Sequence, residues 1–217
     1  MDYDADGDLD LFLADQSGAT DSLFRNYGDA FVDVAPALGM ETKGRARDEG
    51  GVGCAVSDFN NDGHLDICVP NYGHNALWRS NGDGTFTNVA AEAGVGIDNH
   101  AVGASWGDFD NDGFADLSVM SYEGPPNDQQ PKNSLFHNIG GKTFVNVIDQ
   151  VPLVNAGDHG VEWVDYNADG AIDLTLTDGY SPVGGHFVFR NDLPPLSLPA
   201  VSAFWCLMPK GISPAQA

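Results

Sequence analysis

The sequence predicts an all-β fold: a β-propeller, or a propeller segment, of about four blades with four antiparallel strands each. Three observations carry this prediction. A nine-residue acidic motif recurs four times, a hairpin keeps step with it, and a short glycine-bearing apolar strand precedes it.

The motif reads "DYDADGDLD" from Asp2, "DFNNDGHLD" from Asp58, "DFDNDGFAD" from Asp108 and "DYNADGAID" from Asp165. An apolar run follows each copy. The starts lie 56, 50 and 57 residues apart. That period suits a four-stranded blade rather than a helix pair.

The hairpin is clearest in "NALWRSNGDGTFTNVA" and "NSLFHNIGGKTFVNV": an apolar strand, a glycine turn, and a second strand of alternating polarity. Its aromatic residue is Phe24, Trp78, Phe136 or Phe189, read as blade packing. The preceding strands "GVGCAVSDF", "AVGASWGDF" and "HGVEWVDY" carry small residues suited to a crowded inner edge.

These units divide the chain at about 1–47, 48–97, 98–154 and 155–192. The first is incomplete because no strand precedes its acidic loop. The fourth is incomplete because the pattern stops after "HFVFRND". Residues 193–217 read as a divergent tail or linker, rich in proline and without Asp or Glu; "AVSAFWCLM" within it has strand character.

Within each motif, positions one, three, five and nine carry side-chain oxygens and position six is glycine. Side-chain oxygens at one, three and five, a carbonyl at seven and a glycine turn follow the ligand logic of a calcium loop. The candidate ligands are Asp2, Asp4, Asp6 and Asp10; Asp58, Asn60, Asp62 and Asp66; Asp108, Asp110, Asp112 and Asp116; and Asp165, Asn167, Asp169 and Asp173. The backbone carbonyls of Asp8, His64, Phe114 and Ala171 complete the four shells. Position twelve holds Leu13, Val69, Val119 or Leu176, so the closing carboxylate is the one at nine. With a strand following the loop, that disfavours a helix-flanked calcium hand.

Clustered carboxylates repel one another by roughly a kcal/mol or more per pair at surface dielectric. A hard divalent cation removes that penalty, and oxygen ligands without His or Cys side chains favour calcium over zinc or copper. Asp, Asn and Gly are also ordinary turn formers. Four copies in phase argue for ligation over turns alone. Repetition also argues against a catalytic carboxylate pair, whose members come from separate strands across a cleft.

Composition agrees. The chain has 217 residues, 32 acidic and 9 basic, with a net charge of −23. Such a surface repels nucleic acid and anionic membranes. Four divalent ions would bring the charge to −15. No apolar stretch reaches the roughly 18 residues that span a bilayer. The acidic start "MDYDADGDLD" is not a signal peptide. Three cysteines are too few for a disulfide framework. Cys54 and Cys68 flank one acidic loop; a disulfide across the hairpin and two small core residues both fit.

With these residues in view, the loops resemble FG-GAP/VCBS repeats, the calcium-binding blades of integrin α-type β-propellers. "HGVEWVDYNADGAIDLTL" and "NSLFHNIGGKTFVNV" are most similar to the cartilage acidic protein and ASPIC/UnbV subgroup. The resemblance covers Asp2 to Asn191. It implies a propeller, usually seven-bladed, in a secreted or surface protein with roles in adhesion or recognition. The chain departs from it in having only four acidic loops, an incomplete first unit and no recognisable ASPIC-type C-terminal segment.

The expected function is a non-enzymatic, calcium-binding repeat module for extracellular recognition or adhesion, with up to four Ca2+ ions. Its partner would be a protein or glycan, without nucleic acid or membrane insertion. Its place would be extracellular, at the cell surface or periplasmic. The alternative is a fragment of a calcium-dependent polysaccharide lyase, which would need basic residues to neutralise a uronate and remove its proton. A fragment with no activity of its own is a third reading. His100 and His159, ahead of two inner strands, and the polar loop Ser121–Ser134 are weaker candidates for recognition.

Overall fold

The structure is a computed structural model that describes residues 1–16, 20–40, 50–121, 133–151, 158–178, 186–192 and 205–207. Its strands form four antiparallel sheets, each a blade, making a propeller segment of four blades. Blade one holds β1 (Leu11–Leu13), β2 (Ser22–Asn26) and β3 (Phe31–Asp33). Blade two holds β4 (Ala55–Ser57), β5 (Asp66–Val69), β6 (Ala76–Ser80) and β7 (Phe86–Asn88). Blade three holds β8 (Ala101–Gly107), β9 (Asp116–Ser121), β10 (Ser134–Ile139) and β11 (Thr143–Asn146). Blade four holds β12 (Asp158–Val164), β13 (Asp173–Asp178), β14 (His186–Asn191) and β15 (Trp205–Leu207). In blades two to four each strand pairs with its sequence neighbour, and the acidic loop joins the first two strands.

Among the described residues blade one holds three strands, and Met1 stands where the first strand ends in the other blades. Met1 exchanges backbone hydrogen bonds with Asp10, the position Ser57 takes opposite Asp66. Beyond 192 one further strand is described. Trp205–Leu207 pairs with β14 as the outer strand of blade four, so part of the presumed linker belongs to that blade. The rest of the tail lies outside the described residues. So does most of the Ser121–Ser134 loop, as does the His159 side chain; the His159 backbone lies in β12.

Side chains alternate along a strand, so each blade packs against both neighbours. Ile67 and Val69 of β5 face blade one, where they meet Tyr3, Leu23, Ala35 and Met40. Cys68, between them, faces blade three with Phe59 and Leu77, against Leu117, Val119, Phe136 and Phe144. Blade three repeats this toward blade four through Phe109, Met120 and Leu135, which pack on Leu174, Leu176 and Phe189. The hairpin aromatics Trp78, Phe136 and Phe189 are buried in these interfaces, as expected, whereas Phe24 is only half-buried.

Inner strands do approach closely. A Cβ on Gly107 would lie 2.6 Å from Trp163 Cγ and 2.7 Å from Ile172 Cδ1. Cys68 pairs in register with Ala55, not with Cys54, and both thiols are free. Burial pushes the Cys68 thiol up to about 12. No disulfide joins them.

A helical turn follows each of the first three outer strands: Ala35–Leu38, Ala90–Ala93 and Ile148–Gln150. The sequence pattern does not announce these turns. Each begins where Asp33, Asn88 or Asn146 accepts the backbone N–H two residues on, at 3.1 Å.

Candidate metal centre

All four acidic loops take one conformation. Position four is left-handed, at φ 58° or 59° for Ala5, Asn61, Asn111 and Ala168. Position six is Gly7, Gly63, Gly113 or Gly170, with φ from 88° to 94°, which side chains rarely adopt. The two reversals fold the loop around its first carboxylate.

That carboxylate organises the turn. Asp2, Asp58, Asp108 and Asp165 each accept the backbone N–H groups of positions five and six, at 2.8–3.2 Å. Position five, Asp6, Asp62, Asp112 or Asp169, accepts the N–H of position seven through Oδ1. A carboxylate oxygen has two lone pairs, so one N–H per oxygen leaves room for a cation.

Position nine is buried and spans two elements. Asp10, Asp66, Asp116 and Asp173 each accept one N–H from position two of their own loop. Their second oxygen accepts an N–H from the strand that pairs with the one they lead into: Asn26, Ser80, Asn138 or Asn191, at 2.7–2.9 Å. These acids therefore clamp loop to strand, a role that spacing does not reveal. Burial, outweighing both hydrogen bonds, raises Asp66 to about 7 and Asp116 to about 8.

Position three divides the loops into two kinds. Asn60 and Asn167 donate their amide to position five, Asp62 or Asp169, at 2.8 and 2.7 Å. Asp4 and Asp110 carry a further charge, and a cation from the first hairpin strand, β2 or β10, meets each. Arg25 lies 2.8 Å from Asp4 Oδ2 and 3.0 Å from Asp6 Oδ2. His137 Nε2 lies 2.9 Å from Asp110 Oδ2. Pairing with Asp110 raises the His137 pKa. Burial pushes Asp110 up, but the bond and charge of His137 prevail and lower it. Arg25 and His137 were absent from the expected site. The signal was present, since a basic residue follows the hairpin aromatic in every copy: Arg25, Arg79, His137 and Arg190.

Carboxylates converge most closely in loops one and three. One oxygen from each of Asp2, Asp4 and Asp6 falls within 4.8 Å of the others, as it does for Asp108, Asp110 and Asp116. Asp110 and Asp112 form a third such group with His137 Nε2. Both oxygens of Asp4 are buried, and Oδ2 meets the Arg25 guanidinium at 2.8 Å. Burial, the first cause, holds the Asp4 pKa up against Arg25. Converging carboxylate oxygens of this kind fit a hard cation. The carbonyls of Asp8, His64, Phe114 and Ala171 remain assigned by spacing.

His100 is exposed, in the left-handed region at φ 46°, with its ring 6.3 Å from that of Tyr72. No acidic loop residue joins it among the described contacts. Nor is any helix of the described residues long and apolar enough to cross a membrane.

The FG-GAP-like repeat family matches residues 2–69 and, in a second copy, residues 58–119. No curated protein matches the chain.

Proposed function

The chain belongs to the FG-GAP-like repeat family, and from that premise we propose that it is a calcium-binding, non-enzymatic propeller module for extracellular recognition or adhesion. The observation that carries the calcium reading is the convergence of Asp2, Asp4 and Asp6, one oxygen of each within 4.8 Å of the others, with both Asp4 oxygens buried. Asp108, Asp110 and Asp116 support it in loop three. Bound Ca2+ would supply the positive charge that lets a loop hold its acids together, and so would stiffen the turn between the first two strands of a blade.

Each loop would hold its ion through positions one, three and five, with position nine closing the shell. In loops two and four, Asn60 or Asn167 would offer its amide oxygen. A secreted, surface or periplasmic setting suits both the family and calcium in the millimolar range, where extracellular modules bind. The partner would be a protein or glycan that tolerates an acidic surface. The hairpin pattern supports placement near the VCBS and ASPIC/UnbV branch. A lyase role is disfavoured because only 9 basic residues are present and two, Arg25 and Arg190, already pair with acids.

Thermal unfolding in calcium and in chelator tests the reading. Calcium should stabilise the fold through ligand linkage by about 2.7 kcal/mol per site at a hundredfold excess over Kd, and so raise the midpoint. An unchanged midpoint would overturn it.

A further inference from the structure

Loop three differs from the other loops in what its hairpin strand brings to it. The residue after the hairpin aromatic is Arg25, Arg79 or Arg190 in blades one, two and four, and His137 in blade three. A guanidinium stays charged and has no lone pair to give. A neutral imidazole is a common metal ligand. In loop three the acidic motif supplies oxygen, and the strand adds a nitrogen.

The donors are held in place from both sides. Asp110 accepts the Asp112 N–H through Oδ1 at 3.1 Å, and Asp112 accepts the Phe114 N–H through Oδ1 at 2.9 Å. Both Oδ2 atoms are left toward the strand. His137 Nε2, which is buried, lies 2.9 Å from Asp110 Oδ2 and 4.0 Å from Asp112 Oδ2. The imidazole is positioned in turn. Its residue pairs with Val145 of β11, and its ring packs against Phe109 with centroids 5.6 Å apart. One atom from each of Asp110, Asp112 and His137 falls within 4.8 Å of the others. Two ligands bound at about 2.0–2.1 Å to a tetrahedral zinc ion stand about 3.4 Å apart. The two imidazole–carboxylate distances straddle that value. Asp110 also belongs to the all-oxygen group with Asp108 and Asp116. Loop three thus offers two overlapping donor sets of different softness.

We propose that loop three binds a divalent transition metal of the zinc class through His137 Nε2, Asp110 and Asp112, an inference that rests on the reading of these loops as cation sites. Three protein ligands leave a fourth position for water, as in open zinc sites. Imidazole suits zinc, nickel and copper, whereas calcium takes oxygen. Arg25 stands in the same place in loop one, 2.8 Å from Asp4 Oδ2 and 3.0 Å from Asp6 Oδ2, but its charge bars it from ligation. Ligation needs the neutral imidazole, so a proton on Nε2 passes to solvent as the metal binds.

Isothermal titration of the calcium-free protein with zinc chloride reads this out. One tight zinc equivalent is expected, and a large excess of calcium should not displace it. His137→Gln should lose that equivalent. His137→Arg copies loop one, keeps a cation beside Asp110, and should lose it too. Near-ultraviolet circular dichroism checks that both variants fold. No tight equivalent in the wild type, displacement of zinc by calcium, or zinc binding that survives either substitution overturns the proposal. The thermal midpoint with calcium alone reads the calcium reading separately. A midpoint that calcium does not move, with zinc still bound through His137, overturns that reading and leaves this site standing.

Discussion

His137 Nε2 sits 2.9 Å from Asp110 Oδ2, so a cation from the third strand occupies the most acidic part of loop three. Arg25 does the same for Asp4 in loop one. Loops two and four have asparagine at that position, and it donates to the neighbouring carboxylate instead. The four loops share a backbone path yet balance their charge in two ways. Any ion entering loops one and three must displace or share with a protein cation.

This gives the first prediction. His137→Gln should lower stability in chelator by about 1 kcal/mol, the scale of a partly exposed ion pair. It should enlarge the stabilisation by calcium, because Asp110 then has no competing cation. Thermal midpoints of wild type and variant, each with and without calcium, measure both effects. Equal calcium increments in the two proteins would rule out competition at loop three.

The position-nine acids lead to the second. Asp116 is buried and accepts from the backbone N–H groups of Phe109 and Asn138. Asp116→Ala leaves both donors without a partner, at about 1–3 kcal/mol each. Chemical denaturation in chelator should show that loss. Asp112→Ala removes an acceptor from the Phe114 N–H at the loop surface and should fall mainly on the calcium response. If both variants lose stability equally in chelator, position nine is not the clamp.

The repeat was legible because it is written in local chemistry. Gly113 at a left-handed turn and Asp116 before an apolar strand identify the loop without any long-range contact. The blade interfaces were legible only as alternation. The bond from Asn138 to the Phe59 carbonyl joins residues 79 apart in the chain, and spacing within a motif carries no information about it. The helical turn at Ala90–Ala93 was missed because "FTNVAAEAG" continues the alternation of a strand, and a single turn is too short to show helical periodicity. The acidic motif does not announce Arg25 and His137, because the paired cation sits outside the motif, on the hairpin strand.

A third prediction concerns pH. In the absence of calcium, Asp66 and Asp116 titrate at about 7 and about 8 against an ordinary 3.8. The folded chain then binds more protons than the unfolded chain between those limits. Stability is full below the ordinary value and is lost as pH rises through 7 and 8, at up to about 1.4 kcal/mol per pH unit for each titrating group. Thermal midpoints in chelator should therefore fall from pH 5 to pH 9, and Asp116→Asn should flatten the upper part of the slope. A midpoint that stays level over this range would show that both carboxylates are already ionised at pH 5.

The last prediction returns to the inner edge. Gly107 ends β8, and an added methyl there would meet Trp163 Cγ at 2.6 Å and Ile172 Cδ1 at 2.7 Å. Both belong to blade four, so the clash falls between blades and not within one. Overpacking of this kind typically costs about 1–3 kcal/mol. Gly107→Ala should therefore destabilise the chain by that amount while leaving the third loop's calcium increment intact, since the loop's own hydrogen bonds are untouched. Trp163 fluorescence should report the displacement directly, because its ring stacks on Phe109 and its Nε1 donates to Ser118 Oγ. A wild-type midpoint and an unshifted emission maximum in Gly107→Ala would show that the inner strands have room for a side chain there. The small residues would then serve some purpose other than close approach.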